Sequence, residues 1–341
     1  MKVSLLLSKI LVPLPLLLAA LALPAAAALG PAQLALVVND NDPNSVEVGE
    51  YYRSARHIPA ANVVHVHLPE GVRKLNADQF NALKQQIDAG LTPEIQAVLM
   101  VWTAPYAVEC NSITSAYSRG LDSSLCSKPC SPSEPNPYFN SRSDMPFTQH
   151  GVRISMLLPT TSVAQAKQLI DRGVLSSFRV QPGTAYYLKT SETPRNSRAM
   201  YFPRNATVPQ AQLTIKNLQA DTLRDVSDIM IYQTGMARVT GLETLKFLPG
   251  ALADHLTSYG GDLLADTQMS SLRWLEAGAT ASYGAVSEPC NYWQKFPQST
   301  VLLGHYLRGA TAIEAYWRSV AWPAQGVFIG EPLAAPYAAA H

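Results

Sequence analysis

The C-terminal part of the sequence holds a group of residues that could hydrolyse a bond. His255 follows Asp254 directly and precedes Ser258, and Glu288 and Cys290 come later in the chain. A nucleophilic hydrolase needs a base beside its nucleophile and a third group that orients the base. Here His255 could be the base, Ser258 or Cys290 the nucleophile, and Asp254 or Glu288 the orienting carboxylate. The alternative is a buried histidine bonded to backbone, with Ser258 as a turn residue.

The four cysteines have two possible uses. An even number of cysteines in an exported chain favours disulfide bonds, and four cysteines allow three pairings. Cys126 and Cys130 lie in a Pro/Ser-rich loop and could pair with each other, which would leave Cys110 to pair with Cys290. A free Cys290 would instead be a reactive thiol.

Polar side chains directly follow the first apolar run of the chain. Asn39, Asp40 and Asp42 are candidates for binding a ligand. Asp40, Asp42 and Glu288 could together supply the oxygen ligands that a hard cation prefers. A tight turn followed by a helix N-cap needs the same residue types, however, and the calcium-loop pattern is incomplete. We therefore predict no metal site and no cofactor.

The elements that carry these residues have the pattern of a parallel sheet. Continuous apolar runs at 34–38, 63–68 and 97–102 read as buried strands. Ser45 and Asn76 can cap the amphipathic helices between them. Later strands and helices repeat this alternation, and they are predicted at 153–158, 162–172, 185–190, 228–233, 270–277 and 279–286. The order predicts an α/β fold with a doubly wound, mainly parallel sheet and helices on both faces.

The predicted sheet tells where a ligand should bind. Ligands of open parallel sheets lie beyond the C-terminal ends of the strands. The candidate residues at such ends should therefore meet at one edge, and they are Asn39, Asp40, Asp42, Thr103, Gly235, Asp254, His255, Ser258, Glu288 and Cys290. Residues 110–150 have many prolines and serines and no apolar period, so we expect an irregular excursion there that covers part of the fold.

The N-terminus has the order of a secretory signal peptide. Lys2 and Lys9 precede an apolar stretch, and small residues follow before residue 28. We expect residues 1–27 to be removed on export and 28–341 to form a single α/β domain in the periplasm or outside the cell. No later apolar stretch is long enough to span a bilayer.

The charge and composition exclude some classes of partner. The chain has a net charge of +1, which falls by two to −1 without Lys2 and Lys9. A surface that is near neutral argues against nucleic acid as the main partner. Hydrophobic residues make up 47% of the chain and charged residues 15%, so the chain can bury a large core.

Several segments resemble an uncharacterised exported bacterial family that occurs with exosortase, the sorting enzyme for proteins with a Pro-Glu-Pro signal. The matching segments are 38–45, 51–52, 56–59, 273–280, 282–284, 288–291, 295–297 and 314–317. This resemblance implies a role in an exosortase-type envelope or exopolysaccharide system. The chain itself ends without a Pro-Glu-Pro signal, so it would not be a sorted cargo.

The order of elements also resembles, more remotely, the gingipain-type cysteine peptidases with their caspase-like sheet. Those enzymes place a His-Gly pair after one strand and a cysteine nucleophile after the next. Thr234 and Gly235 occupy the first position here, and the segment Asp254 to Ser258 occupies the second. The expected sheet is therefore caspase-like or flavodoxin-like. Both peptidase residues are absent from the corresponding positions of this sequence.

Two functions are therefore weighed. The first is a non-peptidase binding or accessory factor of an exosortase-type system, with an unknown envelope protein, a peptide or a glycan as its partner. The second is a hydrolase that uses His255 as base and Ser258 or Cys290 as nucleophile.

Overall fold

The computed structural model describes residues 28–339, so the predicted signal peptide at 1–27 lies outside the described residues. The strands are β1 Leu34–Asn39, β2 Val63–Val66, β3 Lys74–Leu75, β4 Ala97–Val101, β5 Ala107–Val108, β6 Asn111–Ser112, β7 Ile154–Leu157, β8 Gly183–Lys189, β9 Ala206–Val208, β10 Leu213–Gln219, β11 Ile229–Thr234, β12 Phe247–His255, β13 Ala281–Ala285 and β14 Gly326–Gly330. The helices are α1 Pro43–Ala55, α2 Ala77–Ala89, α3 Ile113–Arg119, α4 Ser124–Ser127, α5 Pro146–His150, α6 Val163–Ser176, α7 Leu272–Ala277, α8 Ser299–Leu307 and α9 Ala312–Ser319.

One sheet of eleven strands runs through the described chain in the order β2-β1-β4-β7-β14-β13-β12-β11-β8-β10-β9. Parallel pairing joins β2, β1, β4 and β7 on one side and β13, β12, β11, β8 and β10 on the other. Antiparallel pairing occurs between β13 and β14 and between β10 and β9. The prediction of an α/β fold with a mainly parallel sheet is confirmed.

Helices cover both faces of this sheet. Consecutive residues of a strand point to opposite faces. At the end of β12, Asp254 contacts Tyr316 of α9, whereas its neighbour His255 contacts Trp274 of α7. Helices α9 and α7 therefore lie on opposite faces, as expected for a doubly wound sheet.

The first strand shows why a strand could be predicted from the sequence pattern. All six residues of β1 are buried, and β1 pairs in parallel with β2 on one side and β4 on the other. Helix α1 then begins at Pro43 with Asp42 as its N-cap, since the Asp42 side chain accepts a hydrogen bond from the Asn44 amide. The prediction of Ser45 as the cap is wrong: its hydroxyl is buried and donates to the carbonyl of Val101.

The segment 110–150 is more regular than expected. It contains α3, α4 and α5, and α3 packs against β7 and β14. Six of the seven residues of α3 are buried, and they include serine and threonine as well as apolar side chains. A helix that is buried on nearly all sides has no amphipathic period, which explains why the pattern was not recognised.

Within the described range 28–339, no helix is long and apolar enough to cross a membrane.

Candidate functional site

The polar residues after β1 form the turn into α1. The side-chain oxygen of Asn39 accepts hydrogen bonds from the amides of Leu68 at 2.9 Å and Asn41 at 3.2 Å. Asp42 caps α1, and Asp40 is partly exposed and pairs with Nδ1 of His65 at 2.7 Å. The carboxylate of Glu288 is not part of this turn, and no group of three or more potential metal ligands is found among the described residues.

Thr103 holds the loops after β4 and β7 together through hydrogen bonds. Its hydroxyl oxygen accepts hydrogen bonds from the amides of Thr160 at 2.8 Å and Thr161 at 3.0 Å. Asn44 at the start of α1 donates to the carbonyl of Thr160 at 3.1 Å. The ends of β1, β4 and β7 therefore meet at one edge of the sheet, and Thr103 positions the backbone there.

The same edge includes the end of β12. The hydroxyl of Tyr106, in the loop after β4, donates to the carboxylate of Asp262, in the loop after β12. Burial raises the pKa of Tyr106 far above its ordinary value, and the bond to Asp262 raises it further. The convergence of strand ends that the sheet pattern predicts is therefore present between β4 and β12, two strands that are not neighbours.

The loop after β12 is held by close backbone contacts. A Cβ atom added at Gly261 would lie 2.3 Å from the carbonyl oxygen of Gly284 in β13. The Gly261 amide donates to the carbonyl of Ala285 at 2.8 Å, and the Ser271 hydroxyl donates to that of Gly260 at 2.7 Å. Only glycine allows two backbones to approach this closely, so this loop has a fixed position.

His255 is buried and both nitrogens of its ring are engaged. Nδ1 accepts a hydrogen bond from the indole of Trp274 at 2.9 Å, and Nε2 lies 3.0 Å from the carbonyl of Met269. Burial lowers the pKa of His255 to about 3. A ring that donates from Nε2 and accepts at Nδ1 is neutral and has no nitrogen left to take a proton from Ser258.

Asp254 and His255 are not brought together, because they point to opposite faces of the sheet. The Asp254 carboxylate forms an ion pair with Arg198, and both side chains are almost completely inaccessible to solvent. Gln233 donates to the same carboxylate at 2.8 Å. Asp254 therefore neutralises a buried arginine and does not orient the imidazole.

The two disulfide bonds differ from the predicted pairing. Cys110 pairs with Cys126, and Cys130 pairs with Cys290. The prediction of a Cys126–Cys130 bridge is wrong, because each of these cysteines is bonded to one of the other two. The hypothesis of Cys290 as a nucleophile is also wrong, since a disulfide sulfur has no thiolate to attack with. Glu288 accepts a hydrogen bond from the Cys290 amide at 2.7 Å and stabilises this turn.

The position after β11 is covered by the loop that follows β8. A Cβ atom added at Gly235 would lie 2.0 Å from the carbonyl oxygen of Arg195. Nε of Arg195 donates to the hydroxyl of Thr257 at 3.1 Å, and the Thr190 hydroxyl donates to the carbonyl of Gly235 at 2.6 Å. Gly235 is therefore a packing site for this chain's own backbone, with no room left for a ligand.

A cleft of about 730 Å³ lies beside these strand ends. Its charged lining residues are Arg73, Arg238, Asp266, Arg273 and Glu276. We call it the arginine cleft. The three arginines come from the segment before β3, the loop after β11 and the first turn of α7. Sequence reasoning missed them because no spacing links the three; only Arg238, a few residues beyond β11, follows from the strand-end rule.

The chain is similar to known proteins in its structure alone. No family model matches the chain, and no curated protein matches it. The Arg-specific cysteine proteinase gingipain R is similar with 10% identity and a TM-score of 0.48, over 89% of this chain and 78% of the other. A structure described as a protease has 10% identity and a TM-score of 0.49, over 91% and 79% of the two chains. The complex of the RgpB pro- and mature domains from Porphyromonas gingivalis has 12% identity and a TM-score of 0.43, over 89% and 80%. At these sequence identities and TM-scores, the matches give no information about the activity of this protein.

Proposed function

We propose that this protein is an exported, non-peptidase binding protein that holds an acidic peptide segment in the arginine cleft. The observation that carries the proposal is the presence of three arginines from three separate segments around one cleft. Ligand pockets commonly have volumes of about 300–1,000 Å³. The arginine cleft, at about 730 Å³, is large enough for several residues of a peptide.

The arginines keep donors free for a ligand. Arg273 forms an exposed ion pair with Glu276 at 2.6 Å, and Arg238 donates one hydrogen bond to the carbonyl of Asp266 at 2.8 Å. A guanidinium has five N–H donors in a planar fork that matches a carboxylate. Arg238 and Arg273 can therefore each bind a carboxylate while they keep the contacts they already have.

The neighbouring pocket favours a peptide over a glycan. A small pocket of about 40 Å³ shares Thr161, Gln165, Leu272 and Glu276 with the arginine cleft. Its other lining residues are mostly apolar, and they include Pro159, Ala166, Leu169 and Leu275. An acidic residue next to a small apolar residue, such as proline, would place one side chain at the arginines and the other in this pocket.

The location and the pathway are part of the same proposal. The predicted signal peptide at 1–27 and two disulfide bonds fit a protein that folds in an oxidising compartment, the periplasm or the outside of the cell. The resemblance to a family that occurs with exosortase suggests an accessory role in that system. The acidic segment would then be a Pro-Glu-Pro sequence in a partner protein of the envelope.

The engagement of His255 with Met269 and Trp274 and the disulfide at Cys290 support a binding role over the alternative of a hydrolase. Neither residue offers a free base or a free thiol. The binding experiment also tests the hydrolase alternative, because only a hydrolase would shorten the peptide.

The test is fluorescence anisotropy with the protein purified from the periplasm and a labelled peptide that contains Pro-Glu-Pro. The matched probe contains Pro-Gln-Pro, which differs only in the charge. We expect tighter binding of the first peptide and about tenfold weaker binding by Arg238→Ala, since charge-assisted hydrogen bonds contribute about 1.5–3 kcal/mol. Arg179→Ala removes an exposed arginine outside the cleft and should bind like the wild type.

Four results would overturn the proposal. Equal affinity for the two peptides would show that the carboxylate plays no part in binding. Absence of binding would show that the peptide is not the ligand. Binding of a soluble polyuronate in place of the peptide would make the ligand an acidic glycan. A shortened peptide, detected by mass spectrometry, would establish a hydrolase.

A further inference from the structure

A short segment at the end of α6 exposes apolar side chains to solvent. Leu175 and Phe178 are 52% and 53% exposed, and Val174 and Val180 are each 38% exposed. Within residues 28–339, nine large apolar residues are exposed, and four of the nine fall in these seven positions. Single exposed apolar residues are ordinary, whereas a group of them marks a contact surface. We call residues 174–180 the apolar turn.

Hydrogen bonds between close neighbours make the apolar turn compact. The amide of Ser177 donates to the carbonyl of Val174 at 3.2 Å, and the amide of Arg179 donates to the carbonyl of Ser176 at 3.1 Å. Ser176 is completely buried, so this residue fixes the turn on the body of the protein. The exposed apolar side chains therefore belong to two overlapping turns of the backbone and lie close together.

Phe178 is held in place at an energetic cost. Its φ angle is 58°, a left-handed conformation that is unfavourable for a large side chain. Its amide donates to the carbonyl of Ala335 at 3.0 Å, which fixes the backbone at this point. The ring is nevertheless half-exposed, so full burial of the ring does not offset the strain. Contact with an apolar partner would supply the missing burial.

The charge of the apolar turn indicates what that partner is. Arg179 is exposed, and it is the only charged residue between positions 174 and 182. Its guanidinium forms no ion pair with any carboxylate in the described part of the chain. Apolar side chains beside a free arginine suit the interface of a bilayer, where apolar groups enter the acyl region and the guanidinium stays with the headgroups. We propose that the apolar turn binds the surface of a lipid bilayer.

A second copy of the chain is less well matched to this surface. Stable protein interfaces bury about 800 Å² on each partner, over about 20–30 residues. Four side chains that are 38–53% exposed offer roughly 400 Å² together, if a large apolar side chain has about 200 Å² of surface. A bilayer needs no complementary surface, because it accepts each apolar side chain separately.

The apolar turn and the arginine cleft lie at opposite ends of α6. Gln165 in the first turn of this helix lines the cleft, and Leu175 is in its last turn. The ten residues between these positions span about 15 Å of helix. The apolar turn also precedes β8, whereas the cleft lies beyond the ends of β11 and β12, which run parallel to β8. A bilayer at the apolar turn would therefore leave the cleft open on the side away from the lipid.

The test is flotation of the full exported protein with lipid vesicles in a density gradient, over a range of lipid concentrations. One set of vesicles is phosphatidylcholine alone, and in the second set about a third of the lipid is phosphatidylglycerol, which is anionic. We expect the protein to bind both sets, and to bind the second about fivefold more tightly, which is the effect of one arginine near an anionic surface. Arg179→Gln should remove the difference between the two sets.

Two variants test the apolar contact itself. Phe178→Asn removes the ring and keeps the backbone conformation, since asparagine tolerates a positive φ. Leu175→Gln removes an apolar side chain and keeps a good helix former. We expect each variant to bind vesicles about tenfold more weakly, as the burial of one large apolar side chain implies. The matched control is Val46→Gln, because Val46 is 42% exposed on α1, outside the apolar turn, and its variant should bind as the wild type does.

Thermal melting will show that each variant is folded. The proposal is overturned if the wild-type protein floats with neither set of vesicles, or if the folded Phe178 and Leu175 variants float as the wild type does. A dimer in sedimentation velocity that Phe178→Asn converts to a monomer would assign the apolar turn to a second copy of the chain, and would also overturn the proposal. No arm of the experiment contains a peptide, so its result does not depend on the ligand of the arginine cleft.

Discussion

The hydroxyl of Tyr106 donates a hydrogen bond to the carboxylate of Asp262, although the two residues are 156 positions apart in the chain. The bond joins the loop after β4 to the loop after β12 over strands that lie between them in the sheet. It therefore ties the two halves of the strand-end edge together, beside the arginine cleft that Arg73 and Leu263 help to line.

Loss of this hydroxyl should lower the stability of the protein. In Tyr106→Phe the carboxylate of Asp262 loses a partner in a part-buried site, and we expect the free energy of unfolding to fall by about 1–3 kcal/mol. Urea denaturation measures the change. Tyr51→Phe is the matched control, because Tyr51 donates to Asp171 at an exposed position at 2.7 Å and should change stability by less than about 1 kcal/mol. Equal losses in the two variants would contradict this interpretation.

The disulfide pairing can be read directly by mass spectrometry. Digestion of the unreduced protein should yield the linked peptides Cys110–Cys126 and Cys130–Cys290. The second bridge closes a loop of 160 residues and the first a loop of 16. Because a longer loop loses more entropy in the unfolded chain when it is closed, replacing Cys130 and Cys290 by alanine should cost more stability, about 5 kcal/mol against about 3 kcal/mol. A linked Cys126–Cys130 peptide would contradict the structure.

Acid should destabilise the protein through its buried histidines. Burial lowers the pKa of His255 to about 3 in the folded state, from 6.5 in an unfolded chain. Burial likewise lowers the pKa of His305 to about 3, and nearby arginines (Arg318, Arg308 and Arg142) add to the effect. The unfolded chain then binds protons that the folded protein does not. Stability is therefore complete above about pH 6.5 and falls as the pH decreases towards 3, by up to about 1.4 kcal/mol per pH unit from His255.

Two measurements check this pH dependence. Urea denaturation between pH 7 and pH 5 should give a free energy of unfolding that decreases with pH. The ¹⁵N signals of the His255 ring should show a neutral ring with hydrogen on Nε2 throughout this range, as its contacts with Met269 and Trp274 require. A His255 ring that becomes charged near pH 6.5 would disprove the assignment.

The close approach of two backbones should make Gly284 intolerant of substitution. A Cβ atom there would lie 2.3 Å from Oγ of Ser271 and 2.4 Å from the carbonyl carbon of Gly260. We expect Gly284→Ala to lower the free energy of unfolding by about 1–3 kcal/mol, as overpacking does. Gly304→Ala in α8 is the control, because the nearest atom is 3.4 Å away in the flexible side chain of Arg308 and alanine favours a helix by about 0.5–1 kcal/mol. A Gly284→Ala variant as stable as the wild type would disprove the predicted clash.

The parts of the fold that depend on local pattern were predictable. The apolar run at β1 predicted a strand that is buried on both faces, and β1 lies between β2 and β4. The prediction of Asn76 as a helix cap is also confirmed, because its side chain accepts a hydrogen bond from the backbone only three residues away. Signals of this kind need no knowledge of the rest of the chain.

The sequence predicted where the strand ends meet, but not which side chains remain free there. The rule for strand ends brought the loops after β4 and β12 to one edge, but it selected residues by chemical type, and several of those side chains support the structure. His255 bonds to Met269 and Trp274, and Asp254 neutralises Arg198. The residue types of a catalytic triad and of a buried polar network are the same, and only the direction of each side chain separates them.

The amino-acid sequence by itself determined the alternation of strands and helices, the caps and the edge where strand ends meet, since these follow from periodicity and short-range hydrogen bonds. The tertiary structure decided which cysteines pair, which polar side chains are buried and which arginines share a cleft. Arg73, Arg238 and Arg273 come together because the chain crosses the sheet several times between them. Contacts of that kind depend on the path of the backbone through space, and no local spacing in the sequence records it.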